Sequence, residues 1–355
     1  MRPLPSGEGC GEAAAAGGAS HASPPQPNNF DLLRLAAALL VLFSHAFVLT
    51  GHPEDEPVAI LLQHVTDGGG LAVGAFFVLS GFLIANSAER HPWRHYLRAR
   101  ALRIYPAFAA LILAQTLLLG AAVSSLGPAH YLATPSSWTA LARALVFSPP
   151  PGLPGVFETN TLPGIVNGSL WTLRIEVLCY AATLAWALLG ARRWMVALAV
   201  LAGFAALAAA HAAGAGLRIV SVLDCLLFFA TGTALWSWRE RIPLRWWGAA
   251  ALLALFAAGS ATPAAQYLWH LALPYLVLRL GLSRPVLAGF MRRLGDISYG
   301  AYLYAFPVQQ TLVSFVPGLH PLGLAALATP VTLLLALASR RLIELPALSL
   351  KRSNA

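Results

Sequence analysis

Long apolar runs recur from residue 31 to the end of this chain, and they constrain its fold more than any other feature. A helical run of about 20 residues is long enough to cross ~30 Å of hydrocarbon. The composition agrees, because only 10% of the 355 residues are charged and 58% are hydrophobic, whereas about 25% are charged in soluble domains. The sequence therefore predicts an all-α protein, a polytopic bundle of transmembrane helices.

About ten runs qualify as candidate spans; the seventh is short and the fourth begins with polar residues, so nine or eleven are alternatives. The predicted bounds are 31–50, 68–87, 102–124, 170–190, 194–212, 219–237, 245–260, 265–282, 296–315 and 322–340. These spans form a predicted transmembrane domain at 29–348. Residues 1–28 are rich in Ala, Gly, Ser and Pro and have no apolar core, which predicts a disordered cytoplasmic tail. Residues 349–355 form a second predicted tail, which is basic.

The formal net charge of +9 is distributed as in a membrane protein rather than a nucleic-acid-binding one. Basic residues cluster in alternate connections and in the C-terminal tail: Arg90, Arg94, Arg98, Arg100 and Arg103; Arg192 and Arg193; Arg239, Arg241 and Arg245; Arg284, Arg292 and Arg293; and Arg340, Arg341, Lys351 and Arg352. Of the other connections, 51–67 has no basic residue and 125–169 has only Arg143. The positive-inside rule then predicts that both termini are cytoplasmic, in a multi-pass protein of the inner (plasma) membrane. Membrane lipids are expected partners and nucleic acid is not.

The longest predicted external connection, 125–169, is rich in Pro and Gly and includes the run Ser148-Pro149-Pro150-Pro151-Gly152. A connection of this length is usually functional or flexible. Two interpretations stay open: a lid over an external acceptor site, and a floppy connector.

Arg34 and His45 lie eleven residues apart in the first predicted span. At 100° per residue this spacing is three turns plus about 20°, so both side chains lie on one face of the helix, ~16 Å apart along its axis. An ionisable residue inside a span is costly and indicates a functional site. The alternative is that His45 only packs and forms a hydrogen bond with a neighbouring helix.

Six ordered blocks between about residues 28 and 348 resemble the acyltransferase 3 family of membrane acyltransferases. They are Phe30–His45; Phe76-Phe77-Val78-Leu79-Ser80-Gly81-Phe82-Leu83-Ile84; Arg98, Arg100, Arg103, Ile104 and Pro106; Leu170-Trp171-Thr172-Leu173-Arg174-Ile175-Glu176; Ile297-Ser298-Tyr299 with Tyr302-Leu303 and Pro307; and Glu344-Leu345-Pro346. Each block is weakly specific, whereas six in the expected order are specific.

The resemblance implies transfer of an acyl group, commonly acetyl, from acyl-CoA to a hydroxyl of a sugar or other saccharide-containing acceptor, as in polysaccharide modification. The donor is then a substrate, and no bound cofactor is expected. A histidine titrates near neutral pH and suits removal of a hydroxyl proton, so we assign His45 as general base, with a transient acyl-histidine as the alternative. Glu176, near the predicted outer end of the fourth span, is the second catalytic candidate. It would hold an acceptor hydroxyl or orient His45, unless it pairs with Arg174.

Arginine guanidinium groups bind phosphates bidentately, so Arg34, Arg100 and Arg103 are candidates for binding the polyanionic donor. The alternative for these arginines is that they set topology or bind lipid head groups, which we prefer for Arg90 and Arg94. Trp171 and Tyr302 are candidates for acceptor binding, with interfacial anchoring and packing as the respective alternatives. Ser80 and Gly81 are small residues that favour close helix packing. Asp224 lies within a predicted span and is expected to be paired structurally.

Two departures from the family pattern bear on function. Ala305 stands where the family often has a histidine, which puts the handling of the acceptor in doubt. No soluble hydrolase-like domain is expected, so transfer would be completed in the membrane domain, by an acceptor-side partner protein or in a homo-oligomer. The scattered histidines predict no metal site. The competing functions are a transporter or flippase without covalent chemistry, and an inactive member of the same fold.

Overall fold

The computed structural model describes residues 28–148 and 152–350, and within these ranges the secondary structure is helical, without strands. The all-α prediction is confirmed for these residues, while the predicted tails lie almost wholly outside them. The helices are α1 (Phe30–Leu49), α2 (Pro57–Leu61), α3 (Gly68–Arg90), α4 (Trp93–Leu113), α5 (Gly120–Val123), α6 (Pro128–Ala133), α7 (Pro135–Leu145), α8 (Trp171–Leu188), α9 (Arg193–Ala212), α10 (Leu217–Ser237), α11 (Trp246–Gly259), α12 (Ala265–Gly281), α13 (Ala288–Leu294), α14 (Ser298–Phe315), α15 (Pro321–Ser339) and α16 (Leu345–Ser349), with a 3-10 turn at Pro53–Asp55 and π-helical turns at Ala114–Leu119 and Arg340–Glu344.

Six helical segments of the described chain are long and apolar enough to cross a membrane: Phe30–Leu49, Gly68–Arg90, Trp93–Val123, Arg193–Ala212, Leu217–Ser237 and Pro321–Ser349. The other four predicted spans coincide with α8, α11, α12 and α14, which are shorter or more polar. Helix α11 has 14 residues and would extend only ~21 Å at 1.5 Å per residue. The count of ten spans therefore stays a prediction.

Helix α4 begins nine residues before the predicted third span. No Gly or Pro interrupts the chain between Trp93 and Tyr105, so nothing ends the helix at the predicted membrane boundary. Arg98 and Arg100, which precede the predicted span at 102–124, therefore lie on the same helix as Arg103.

Helices α3 and α10 cross so closely that only glycine fits at the crossing. A Cβ added to Gly81 would lie 2.1 Å from the Phe229 carbonyl oxygen, and one added to Gly232 would lie 2.3 Å from that of Val78. Small residues permit such approaches between membrane helices. The close-packing interpretation of Gly81 fits this geometry.

The connection at 125–169 is largely ordered in its described parts and carries helices α6 and α7. Tyr131, Val156 and Phe157 form a small buried core with each other. Asn160 donates to the Gln310 backbone oxygen at 2.9 Å and side-chain oxygen at 2.7 Å, which attaches the connection to α14. Residues 149–151 of the proline run lie outside the described residues, and the described rest of the connection is folded and packed; its role as a lid stays a prediction.

Candidate active site

Two cavities between the helices contain all the predicted site residues. We call the first the arginine cavity; its volume is about 350 Å³ and its wall includes Arg34, Arg100, Arg103 and Glu176. We call the second the histidine cavity; its volume is about 750 Å³ and its wall includes His45 and Trp171. Tyr302 lines both. The structure thus divides the predicted residues between two neighbouring spaces.

Arg103 is held by two carboxylates beside the arginine cavity. Its guanidinium lies 2.5 Å from Asp296 Oδ2 and 3.2 Å from Glu344 Oε2. Asp296 Oδ1 also accepts hydrogen bonds from Ser298, and the Asp296 backbone oxygen accepts one from Arg340 at 2.9 Å. The charge of Arg103 is therefore largely committed to holding α4 against the segments before α14 and after α15.

Arg100 lies one turn before Arg103 on α4 and has a different environment. Among the described residues it forms no ion pair, and its Nε is buried without a hydrogen-bond partner. Arg34 approaches Asp296 and Asp31 only at 3.7 and 3.9 Å. These two side chains supply positive charge that is free to act on a ligand, because neither is closely neutralised.

Glu176 lies in the arginine cavity and not beside His45. It accepts hydrogen bonds from the Ser80 hydroxyl at 3.3 Å and from the Tyr180 hydroxyl. It forms no ion pair with Arg174 among the described residues, and Arg174 is exposed. Glu176 shares this cavity with the arginines on α1 and α4, and its expected position near the outer end of the fourth span stays a prediction.

His45 is half-buried on α1 and lines the histidine cavity. The Phe306 ring meets the imidazole edge to face, with 5.1 Å between ring centroids. Its Nδ1 is buried and has no hydrogen-bond partner within the described part of the chain. A buried unpaired polar atom costs about 1–3 kcal/mol, so a polar ligand in this cavity would relieve that cost.

The charges of the two cavities differ. Three arginines and one glutamate line the arginine cavity. No Arg or Lys of the described chain lines the histidine cavity, which instead has the carboxylates of Glu54, Asp67 and Asp224, four histidines, and the rings of Trp171 and Trp269. The first cavity suits an anionic ligand and the second suits an uncharged polar one.

Tyr302 and Val73 separate the cavities, since each lines both. The Tyr302 hydroxyl lies 2.6 Å from Thr172 Oγ1 and donates to the Ser169 carbonyl at 2.8 Å. Its ring packs edge to face on Phe76, with a centroid distance of 5.7 Å. This tyrosine is therefore fixed by its contacts in a wall that the two cavities share.

Ala305 is fully buried in a cluster with Leu42, Ala46 and Phe306. It lies on α14 beside the residues that flank His45 on α1. The departure from the family pattern thus leaves aliphatic packing where a second imidazole would approach the His45 region.

Sequence reasoning missed several polar residues of the site. Asp296 and Glu344 lie within or beside matched blocks, but nothing in their spacing indicates that they share Arg103. Asp224 was expected to be paired, and its Oδ1 lies 3.1 Å from Nε2 of His270, a residue that was not singled out. No three His, Cys, Asp or Glu side chains of the described chain are grouped so that they would hold a metal ion.

Comparison with known proteins places the chain among enzymes. The model of an acyltransferase domain matches residues 28–341. An O-acetyl transferase of Shigella phage Sf6 is 27% identical over 315 residues, covering 85% of this chain and 91% of that protein. Nodulation protein 10 of Rhizobium leguminosarum bv. viciae is 31% identical over 371 aligned residues, covering 92% and 94%. No solved structure matches significantly. With this match over most of its length and its apolar helices, the chain belongs to the acyltransferase 3 family and is a membrane acyltransferase.

Proposed function

We propose that this enzyme moves an acyl group, with acetyl as the expected group, from acyl-CoA to a hydroxyl of a saccharide-containing acceptor. The observation that carries the proposal is the division of charge between the two cavities that share Tyr302. A donor rich in phosphates and an uncharged acceptor need different surroundings, and each cavity suits one of them. The name of the phage relative, an O-acetyl transferase, agrees with this choice.

The donor belongs in the arginine cavity. Arg100 and Arg34 present guanidinium groups without close ion pairs, and such groups bind phosphate oxygens bidentately. Arg103 contributes mainly by fixing α4, because Asp296 and Glu344 already neutralise it. Glu176 acts on this same side, where it holds Ser80 and Tyr180 in the cavity wall.

The acceptor belongs in the histidine cavity, whose volume of about 750 Å³ lies within the ~300–1,000 Å³ range of ligand sites. Trp171 offers a flat apolar face for a sugar ring. His45 then takes the proton of one acceptor hydroxyl while the hydroxyl oxygen attacks the thioester carbonyl carbon. The C–S bond breaks, the acyl group stays on the acceptor oxygen as an ester, and the CoA thiolate leaves and takes up the proton.

The assignment of one cavity to each substrate suits a topology with ten spans and both termini in the cytoplasm. The domain at 29–348 would then lie in the inner (plasma) membrane. The arginine cavity would then open toward cytoplasmic acyl-CoA, because Arg34 is near the start of α1 and Arg100 near the start of α4. The histidine cavity would lie toward the outer face and the connection at 125–169. The tails at 1–28 and 349–355 would be cytoplasmic.

The test compares membranes that contain the wild type, His45→Ala or His91→Ala, given labelled acetyl-CoA and a panel of sugars and glycolipids. His91 is exposed and lines neither cavity, so it is a matched control. Loss of the general base should lower transfer by about 10²–10⁴-fold, with no loss for His91→Ala. Unchanged transfer by His45→Ala would remove His45 from the mechanism. Absence of transfer by the wild type with several donors and acceptors would favour a flippase, a transporter or an inactive member.

A further inference from the structure

His270 on α12 and Asp224 on α10 form a pair in the wall of the histidine cavity, apart from His45 on α1. His270 Nε2 lies 3.1 Å from Asp224 Oδ1. The His270 side chain is almost completely buried, at 1% exposure, whereas that of Asp224 is 26% exposed. The carboxylate is therefore the member of the pair that a ligand in the cavity can reach.

The imidazole of His270 is fixed in one orientation. Its Nδ1 lies 2.7 Å from the Gln266 backbone oxygen, and since a carbonyl only accepts, Nδ1 must carry a hydrogen. The ring is stacked on Phe228, with 4.3 Å between centroids and 16° between planes, and meets the Phe204 ring edge to face. Nε2 is thus held toward the carboxylate, 3.1 Å from Oδ1.

Asp224 has acceptor capacity that the protein does not fill. The Nε2 and Oδ1 atoms lack the alignment of a hydrogen bond, and Asp224 accepts no other hydrogen bond within the described part of the chain. A carboxylate offers about four lone-pair positions, and a partly buried one without donors is costly. His270 therefore fixes the carboxylate while leaving most of its capacity for donors in the cavity.

The lining of the cavity indicates which kind of ligand would donate hydrogen bonds to Asp224. No Arg or Lys of the described chain lines it, and its two other carboxylates, Glu54 and Asp67, disfavour an anion such as a phosphate. The exposed Trp171 provides apolar ring surface in the wall of the same cavity, and the mostly buried Trp269 also contributes to that wall. A molecule with several hydroxyl groups and an apolar ring face satisfies both features.

We propose that Asp224, positioned by His270, binds a second hydroxyl of the saccharide acceptor and thereby selects which hydroxyl faces His45. This inference rests on the proposed function and adds a specificity-determining residue to it. Asp224 accepts a hydrogen bond from a hydroxyl that is not acylated, while His270 acts as a positioning residue that does not touch the acceptor.

The test uses full-length protein in membranes with labelled acetyl-CoA and a set of methyl hexopyranosides with their monodeoxy analogues. The glycoside that the wild type acetylates best serves as the acceptor. Asp224→Asn should raise its KM about ten-fold or more, the loss expected for one hydrogen bond to a charged group. The KM for acetyl-CoA should stay unchanged. His270→Gln should raise the acceptor KM in the same direction but less. Asp55→Asn is the control, because Asp55 is exposed and lines neither cavity.

The deoxy analogues separate binding from a structural pair. One analogue should be a poor acceptor for the wild type but lose little further with Asp224→Asn, because the hydroxyl that Asp224 binds is already missing. Wild-type transfer with an unchanged acceptor KM in Asp224→Asn overturns this inference and leaves the proposed function standing. If Asp224→Asn lowers transfer by the same factor for the parent glycoside and for every deoxy analogue, this inference is also overturned, since a uniform loss indicates a role in folding. A wild type that acetylates none of the glycosides, while it acetylates another class of acceptor, overturns the saccharide assignment and this inference together.

Discussion

The guanidinium of Arg103 lies 2.5 Å from the carboxylate of Asp296, and the same guanidinium reaches Glu344 at 3.2 Å. The side chain of Glu344 is only 3% exposed, so it depends on this partner for charge compensation. Arg103 thereby joins α4 to two segments far along the chain. An arginine in a basic motif is often expected to bind substrate phosphate directly. In this motif, that role fits the neighbouring Arg100 better than Arg103.

Replacement of Arg103 by Gln should destabilise the protein, because it leaves two carboxylates without their cation. The expected loss is about 2 kcal/mol, since hydrogen bonds to charged groups contribute ~1.5–3 kcal/mol. Thermal unfolding of the detergent-purified protein, followed by tryptophan fluorescence, measures it. The double variant with Asp296→Asn should lose less than the sum of the single variants, because the partners are coupled. Additive losses would show that the pair contributes little.

Arg100→Gln should weaken donor binding with little effect on stability. Arg100 lines the arginine cavity and forms no ion pair among the described residues, so its removal leaves no carboxylate unpaired. The KM for acetyl-CoA should rise by about 10–100-fold, the equivalent of one charge-assisted contact. Exposed Arg94 lines neither cavity, so Arg94→Gln should leave that KM unchanged. A KM for acetyl-CoA that does not change in Arg100→Gln would contradict a role in donor binding.

The all-α class was predictable from the sequence because span-length apolar runs have few alternatives to helix in a membrane. Helical periodicity also predicts that Arg34 and His45 share a face of α1. It does not predict that they line different cavities, because Val73 of α3 and Tyr302 of α14 come between the spaces. The partition depends on contacts between helices more than 200 residues apart, and local pattern carries no information on them.

The surroundings of Glu176 also depend on contacts between helices that the local sequence does not predict. The predicted span bounds place Glu176 near the outer end of the fourth span, and Arg100 and Arg103 near the cytoplasmic end of the third. The hydrogen bonds that Glu176 accepts from Ser80 and Tyr180 instead place it with the arginines. Depth in the bundle follows from how α8 packs on α3, and span boundaries from hydropathy are uncertain by several residues.

Tyr302 should limit the access of water from the histidine cavity to a thioester bound in the arginine cavity. Tyr302→Ala removes the ring that lines both, so water should reach the thioester more easily and release of labelled acetate without acceptor should increase. Tyr302→Phe keeps the ring and loses only the hydroxyl contacts with Thr172 and Ser169, so hydrolysis should stay near the wild-type rate. Scintillation counting of released acetate measures both. Equal hydrolysis in the alanine variant and the wild type would show that the ring does not separate the cavities.

Alanine at Gly81 or Gly232 should destabilise the bundle, because α3 and α10 approach most closely there. The added Cβ would lie 2.1 Å from the Phe229 backbone oxygen in the first variant and 2.3 Å from that of Val78 in the second. Backbone atoms cannot rotate away as a flexible side chain does, so the helices must separate, at a cost of about 1–3 kcal/mol or more. Gly289→Ala is the control, since nothing lies within 4 Å of its added Cβ. Unfolding temperatures of the three variants in one detergent test this prediction. If Gly81→Ala unfolds at the same temperature as Gly289→Ala, the helices have room to accept a side chain, and the close approach of α3 and α10 does not limit stability.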